Sequence, residues 1–345
     1  MQLSTSKRLA TGEATVSRLM KWMLVLTTGI IALSLWHASQ GSSGITLLDW
    51  WHSGTLSVYQ KTILVDIRLP RLVLALVNGA ALGLAGAAMQ LLLRNPLAEP
   101  GLTGVSSGAA LTTVAVLYFG LLPTFSWLLP FIALAGGLAA IIVVVMMAGG
   151  YADVNRVILA GVAISSLAGA AMALLLYLAP NPFAFQEWSQ WTLGSLANRG
   201  WSHVMLMLPL AFVGAVLVLT QTRFLTALTF SEETVVSMGY SYPIRRNLVL
   251  IAVALLTGSS VVSVGIIGFV GLLAPHVVRL LGLDHPKHVL SMSALTGALL
   301  VLSIDIFVRL MSVGRELPLG VVAAVIGAPL LIFLLVRQKA RHAVG

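Results

Sequence analysis

Residues 126–148, SWLLPFIALAGGLAAIIVVVMMA, contain no charged side chain. A helix of about 20 apolar residues crosses a hydrocarbon core about 30 Å thick. Further apolar runs follow along the chain, and most charged residues lie in the breaks between them. The sequence therefore predicts an all-α polytopic membrane protein with ten transmembrane helices, near residues 19–37, 70–93, 102–120, 126–148, 156–179, 203–221, 247–263, 265–281, 289–312 and 318–336.

Composition supports a membrane protein over a soluble one. Of the 345 residues, 58% are hydrophobic and 9% are charged, whereas a soluble globular protein has about 25% charged residues. The net charge of +9 is spread over short loops and forms no continuous basic stripe, which argues against nucleic-acid binding. The absence of cysteine excludes disulfides, thiolate metal sites and cysteine nucleophiles.

Two boundaries allow a second interpretation. The seventh and eighth runs are separated only by residues 258–265, so they could form one longer broken helix. The first run follows a basic stretch and could be a signal peptide, but the best cleavage position, after Ala38, has bulky Trp36 where a small residue is needed. We therefore favour an uncleaved first span, and a membrane domain over residues 19–336 between tails at residues 1–18 and 337–345.

The distribution of basic residues predicts the orientation of the spans. Lysine and arginine in short loops are retained on the cytoplasmic side. Fourteen of them lie in the termini and alternate loops, which predicts that both termini are cytoplasmic. Six lie on the opposite side: Lys61, Arg68, Arg71, Arg199, Arg309 and Arg315.

Small residues at four-residue spacing mark two of the spans. Gly79 and Gly83 lie in the second, and Gly161, Ser165 and Gly169 lie in the fifth, with Ser166 alongside. Such spacing allows close approach of helices in lipid. A tight interhelical contact is the first interpretation, and the wall of a weakly polar pathway is the second.

Two loops are predicted to contain short helices. In residues 231–239, Ser231 suits the N-cap, Glu232 and Glu233 suit the positive helix end, and Gly239 suits a left-handed stop. The apolar residues of this helix, including Met238, could contact a partner or the bundle itself. On the outer side, residues 182–191 form a second helix whose aromatic residues, Trp188 among them, are interfacial anchors or, as the alternative, a lid.

Charged residues near the spans leave several interpretations open. Arg68 and Arg71 precede the second span on the side that usually lacks arginine, and suit either lipid headgroups or an acidic partner. Asp305 and Arg309 are one helical turn apart, so an ion pair is the first interpretation, although Arg309 could also face outward. The loop at residues 95–101, NPLAEPG, is predicted to be a structural joint without chemistry of its own.

Several enzymatic functions are excluded or disfavoured. None of the five lysines follows glycine, so the chain has no phosphate-binding loop. Residues 104–108, GVSSG, have the spelling of a nucleophile elbow around Ser106, but a membrane loop precedes them instead of a strand. A proton-coupled transporter is a weaker alternative, because Asp305 is the one acid that is predicted well inside a span.

Four motifs together carry a family resemblance. They are residues 67–71 (IRLPR), 95–101 (NPLAEPG), 265–279 (GIIGFVGLLAPHVVR) and 316–321 (ELPLGV). Their order and spacing closely resemble the permease family of type II ATP-binding-cassette (ABC) importers, the FecCD family. This family takes up ferric siderophores, haem and cobalamin. The resemblance covers about residues 60–336.

The resemblance implies partners and sites that the residues alone do not give. It implies a multi-pass protein of the bacterial inner membrane, paired with a second copy or a related permease. Two separate ATPase subunits would bind ATP and Mg²⁺, and a periplasmic binding protein would deliver the substrate, so this chain would bind no cofactor or metal itself. A ferric chelate is the expected substrate, with cobalamin as the alternative.

Residue roles also follow from the resemblance. Arg68, Arg71 and Arg309 would pair with acidic residues of the binding protein. The helix formed by residues 231–239, with Ser231, Glu232, Glu233, Met238 and Gly239, would contact the ATPase. The pathway would be lined by the fifth span, the outer helix and the tenth span, including Gly161, Ser165, Ser166, Gly169, Met172 and Trp188.

Overall fold

The computed structural model describes residues 2–40, 57–119, 128–149, 154–179, 183–312 and 316–342. These residues form helices and connecting turns, with no strand among them. A π-helical segment, Ile63–Arg68, joins α2 to α3, and a 3₁₀ turn, Pro100–Thr103, precedes α4. The helices are α1 Gln2–Ser39, α2 Val58–Thr62, α3 Leu69–Leu92, α4 Val105–Tyr118, α5 Leu129–Ala148, α6 Val154–Tyr177, α7 Phe183–Leu193, α8 Trp201–Thr220, α9 Thr222–Ala227, α10 Glu232–Ser237, α11 Tyr242–Val264, α12 Val270–Leu280, α13 Pro286–Met311 and α14 Leu319–His342.

The predicted all-α membrane fold is confirmed. Each of the ten predicted runs falls on a helix of the described chain. Seven helical segments are long and apolar enough to span a membrane, and shorter apolar helices occupy residues 105–116, 270–280 and 319–333. Helix α1 extends back to Gln2 and α14 continues to His342, so helix also covers most of the residues predicted as tails.

The break between the seventh and eighth runs lies later than predicted. Gly258 is inside α11, and the helix ends at Gly265, whose φ of 85° and ψ of −170° suit glycine alone. Residues 265–269 then separate α11 from α12, so the alternative of one long broken helix is replaced by two distinct helices. Gly258 lies close to Leu134 of α5, so this glycine serves close packing and not a break.

The core contains a close contact between α3 and α13. A Cβ atom added to Gly79 would lie 2.7 Å from the Cα of Ala298, and one added to Gly83 would lie 3.2 Å from the Cα of Gly297. Since the backbones themselves meet here, no side chain can move aside to make room. The small residues of the second span therefore form a tight interhelical contact, as the first interpretation predicted.

Substitution of Gly79 tests the α3–α13 contact. We expect Gly79→Leu to lower the free energy of unfolding by about 3 kcal/mol or more, because it overpacks a site that cannot relax. Gly169→Leu is the matched control, since a Cβ at Gly169 meets no atom within 4 Å. Unfolding of the purified protein in detergent micelles measures both variants. Equal stability of the two would contradict this packing.

The loop at residues 95–101 leads into a turn that packs against two helices. Its end and the 3₁₀ turn lie inside the bundle: a Cβ on Gly271 of α12 would lie 2.9 Å from the Cδ of Pro100, and the Leu102 carbonyl lies directly against Gly161 of α6. The loop is therefore packed against two helices, which is compatible with the predicted structural joint. Glu99, at the start of this turn, is a second acid within the bundle besides Asp305.

Candidate functional site: an arginine cluster, a short capped helix and a weakly polar wall

The C-terminal ends of α1 and α13 and the start of α3 meet in a cluster of charged side chains. Arg71 of α3 donates two hydrogen bonds to Asp305 of α13, from Nε to Oδ2 at 2.9 Å and from Nη2 to Oδ1 at 2.7 Å. Nε2 of His37 in α1 lies 2.7 Å from the same Oδ2, and Arg71 also contacts the carboxylate of Glu316. The side chains of Asp305 and His37 are fully buried. This paired geometry compensates the buried carboxylate.

The end of α1 is held by two further arginines. Arg309 donates to the carbonyl oxygen of His37 at 2.9 Å and also to that of Gln40, and Arg68 donates to that of Ala38 at 2.7 Å. The last carbonyl groups of a helix have no partner within the helix and carry partial negative charge. Guanidinium groups at this position donate hydrogen bonds to the unpaired carbonyl groups, and their positive charge compensates the partial negative charge.

The first interpretation of Asp305 and Arg309 as an ion pair is wrong. Asp305 binds Arg71 and His37, while Arg309 binds the backbone at the end of α1. The guanidinium fork of Arg71 offers two parallel hydrogen bonds to the carboxylate. Sequence analysis missed His37, whose only signal is its position at the end of the first apolar run.

The three arginines proposed for docking are brought together in this cluster. Arg68 is 4% exposed, and the side chain of Arg71 is 13% exposed. Of the three guanidinium groups, that of Arg71 binds the carboxylates of Asp305 and Glu316, and those of Arg68 and Arg309 bind backbone carbonyl groups.

At the other end of the bundle, α10 has the predicted capping. Ser231 is the N-cap, and its Oγ accepts a hydrogen bond from the backbone N–H of Thr234. At the C-terminus, the N–H of Gly239 donates to Val236 at 2.9 Å and that of Tyr240 donates to Val235 at 3.4 Å. These two bonds form a Schellman motif, with Gly239 at φ 85°.

The two sides of α10 differ in exposure. Val235 is fully buried, whereas Val236 is 47% and Met238 50% exposed. Glu232 and Glu233 are exposed as well, and with Val236 and Tyr242 they line an open concavity of about 470 Å³. One side of α10 therefore packs on the bundle, and the other carries uncovered apolar surface, so contact with a partner stays a prediction for that side.

The predicted pathway residues lie on α6 and α7. Gly161 is buried against Leu102, whereas Gly169 borders open space and Ser166 is exposed. Ser165 Oγ has no hydrogen-bond partner among the described residues. The stripe of small residues in the fifth span thus serves close packing at its beginning and leaves a weakly polar surface further along.

Helix α7 is attached to α6 by the predicted aromatic residue. The indole N–H of Trp188 donates to the sulfur of Met172 at 3.0 Å, and the ring of Trp188 lies 5.4 Å from that of Phe185. The helix runs from Phe183 to Leu193, close to the predicted bounds. Residue 182, the predicted start of this helix, lies outside the described residues.

Comparisons with known proteins agree with one another over most of the chain. The model of the FecCD transport family matches residues 26–337. The ABC transporter permease protein YvrB of Bacillus subtilis is 40% identical over 301 residues, 84% of each chain. The vitamin B12 import system permease protein BtuC of Salmonella typhi is 36% identical over 322 residues, 93% of this chain and 96% of that protein.

A solved structure gives the same result at the level of the fold. It is described as an inward-facing conformation of a metal-chelate type ABC transporter, and it superimposes with a TM-score of 0.81 at 28% identity. The match covers 92% of this chain and 99% of the other. The chain belongs to the FecCD transport family and is an importer permease of the ABC class, the membrane subunit of a transporter whose ATPase is separate.

Proposed function

We propose that this permease carries a metal chelate, a ferric siderophore or haem, across the bacterial inner membrane into the cytoplasm. The likeness to a metal-chelate type transporter supports the chelate class. Cobalamin is the second candidate, because relatives named for vitamin B12 import align with 93% of this chain. Both candidates are bulky metal complexes, which a weakly polar wall with exposed small residues would pass without binding tightly.

The observation that carries the proposal is the uncovered face of α10. A six-residue helix with an N-cap, a Schellman stop and a fully buried valine is held firmly, yet it leaves Val236 and Met238 about half exposed. Exposed apolar surface of this kind marks a contact site for a partner. We assign that partner as the ATPase, so that closure of the nucleotide-binding subunits pushes on α10 and is passed to the bundle.

Substrate delivery is assigned to the opposite end of the bundle. The cluster brings together the guanidinium groups of Arg68, Arg71 and Arg309, which suit the acidic residues of a binding protein. Between the two ends, the fifth span (α6), the outer helix (α7) and the tenth span (α14) line the pathway in this proposal. Gly161, Ser165, Ser166, Gly169, Met172 and Trp188 are its residues on α6 and α7, with a second permease copy or a related permease on the other side. Both termini lie in the cytoplasm, in agreement with the basic loops.

Reconstitution tests the proposed function. We expect liposomes that contain the permease and its ATPase to take up a ferric siderophore or haem only when ATP is enclosed with the ATPase side and the binding protein is outside. Cobalamin, offered in parallel, decides between the two candidate substrates. The control is an ATPase variant that binds but does not hydrolyse ATP. Uptake driven by a proton gradient without ATP would contradict the proposal and support a secondary transporter.

A further inference from the structure

The 3₁₀ turn that follows Glu99 packs against the bundle at Pro100 and Leu102, whereas Gly101 borders open space. Gly271 of α12 contacts the 3₁₀ turn at Pro100 on one side and Gly86 of α3 on the other. Gly86 precedes the last residue of α3, Leu92, by six positions, or about 9 Å along the helix axis. The turn therefore re-enters the bundle by almost two helical turns.

Glu99 makes a specific contact there. Its Oε1 accepts a hydrogen bond of 2.9 Å from the backbone N–H of Phe269. Phe269 is the N-cap of α12 and has φ 67° and ψ −27°, a left-handed conformation that residues other than glycine rarely adopt. A carboxylate is also favourable at this position, since the N-terminus of a helix carries partial positive charge. The hydrogen bond thus stabilises the strained conformation of Phe269 in the segment that connects α11 to α12.

Phe269 in turn contacts α14. A Cβ atom added to Gly327 would lie 2.7 Å from the Cβ and 2.8 Å from the Cγ of Phe269. The phenylalanine side chain therefore occupies the space that the absent side chain of Gly327 leaves free. An apolar cavity of about 200 Å³ adjoins this contact, so α14 has room beside it to shift.

The same turn also contacts α6, through the Leu102 carbonyl against Gly161. One short segment thus meets α6 directly and α14 through Phe269. These are the two long helices to which the proposed function assigns the pathway. A change in the turn would alter their separation.

We propose that Glu99 is a positioning residue for the translocation pathway. Its carboxylate accepts the hydrogen bond from the backbone N–H of Phe269 and so keeps the aromatic ring packed against Gly327. This contact fixes the position of α14 relative to α6. Without that acceptor, Phe269 would relax to a conformation with negative φ, and its ring would lose the contact with Gly327. This inference rests on the proposed function for the assignment of α6 and α14 to the pathway, but the contact itself is testable in the isolated chain.

The test compares Glu99→Ala with Glu99→Gln in the reconstituted complex. Glutamine keeps a side-chain oxygen that accepts the Phe269 hydrogen bond, whereas alanine has none. We expect Glu99→Ala to lower the amount of substrate carried per ATP hydrolysed by about tenfold, because losing one hydrogen bond shifts the conformational equilibrium of Phe269 by about that factor and only the ordered conformation couples transport to hydrolysis. Glu99→Gln should stay within about twofold of the wild type. Gly101→Ala is the matched control in the same loop, since its Cβ meets no atom within 4 Å.

Each other outcome has a defined meaning. If glutamine is as harmful as alanine, the charge of Glu99 matters and the acceptor role is overturned. If alanine lowers uptake and hydrolysis in proportion, the contact is only structural, and the inference is equally overturned. If Glu99→Ala carries as much substrate per ATP hydrolysed as the wild type, the inference is also overturned.

Hydrogen exchange in the purified permease gives a readout that does not depend on transport. We expect faster exchange of the amide of Phe269 in Glu99→Ala and wild-type exchange in Glu99→Gln. If the wild-type complex carries none of the offered substrates while exchange responds as expected, the proposed function fails and the contact stands. Unchanged exchange in Glu99→Ala would refute the contact itself.

Discussion

Replacing Arg71 with glutamine should destabilise the protein before it affects any partner. Asp305 is fully buried, and Arg71 supplies two of its hydrogen bonds. Removal of one member of a buried ion pair typically costs about 3–5 kcal/mol, because the other charge stays uncompensated. We expect Arg71→Gln to lose about this much free energy of unfolding, measured on the purified protein in detergent, and the double variant Arg71→Gln/Asp305→Asn to regain most of it.

The double variant then separates folding from docking. It is expected to fold and to hydrolyse ATP at the basal rate in the complex, but to lose stimulation by the binding protein because the guanidinium group is gone. Lys61→Gln, an exposed basic residue in α2, is the control and should keep full stimulation. Normal stimulation of the double variant would remove Arg71 from the docking surface. If Arg71→Gln is as stable as the wild type, Arg71 does not compensate the buried charge of Asp305.

Aspartate at both Val236 and Met238 should abolish ATP-driven uptake. Both side chains are about half exposed, and the proposed contact would bury them against the ATPase. A carboxylate buried there without a partner is costly. We expect the affinity for the ATPase to fall by about 100-fold or more, equivalent to about 2.8 kcal/mol. Co-purification of the ATPase with the tagged permease measures the loss.

The helix itself should survive this double substitution. Ser231, Val235 and Gly239 are unchanged, so the caps and the buried contact remain. Tyr59→Asp provides the control, since Tyr59 is 70% exposed and lies on α2 near the opposite end of the bundle. Normal co-purification with the Val236 and Met238 variant would place the ATPase contact elsewhere.

Features that depend on the solvent or on near neighbours in sequence were predictable. The bilayer requires long apolar helices, so hydropathy alone located the ten spans. The caps of α10 were also predictable, because Ser231 and Gly239 act within a few residues of their own positions. The close contact at Gly79 followed from spacing, although its partner, α13, did not.

Features that depend on distant partners were not predictable in the same way. Asp305 has Arg309 one turn away, yet it binds Arg71, which lies 234 residues earlier in the chain. The depth of Glu99 was missed because a loop that re-enters the bundle has the same composition as a loop that stays outside. The conformation of Phe269 carries no sequence signal, since a left-handed residue that is not glycine depends on the contacts around it.

The attachment of α1 has a consequence for the order of assembly. Its outer end is held by Asp305 and Arg309, which are synthesised 268 and 272 residues after His37. At about 5–20 residues per second, the first helix enters the membrane roughly 15–55 s before these partners exist. During that interval His37 and the last carbonyl groups of α1 need water, lipid headgroups or an insertion factor. Helix α1 is therefore inserted well before the residues that fix its C-terminal end are made.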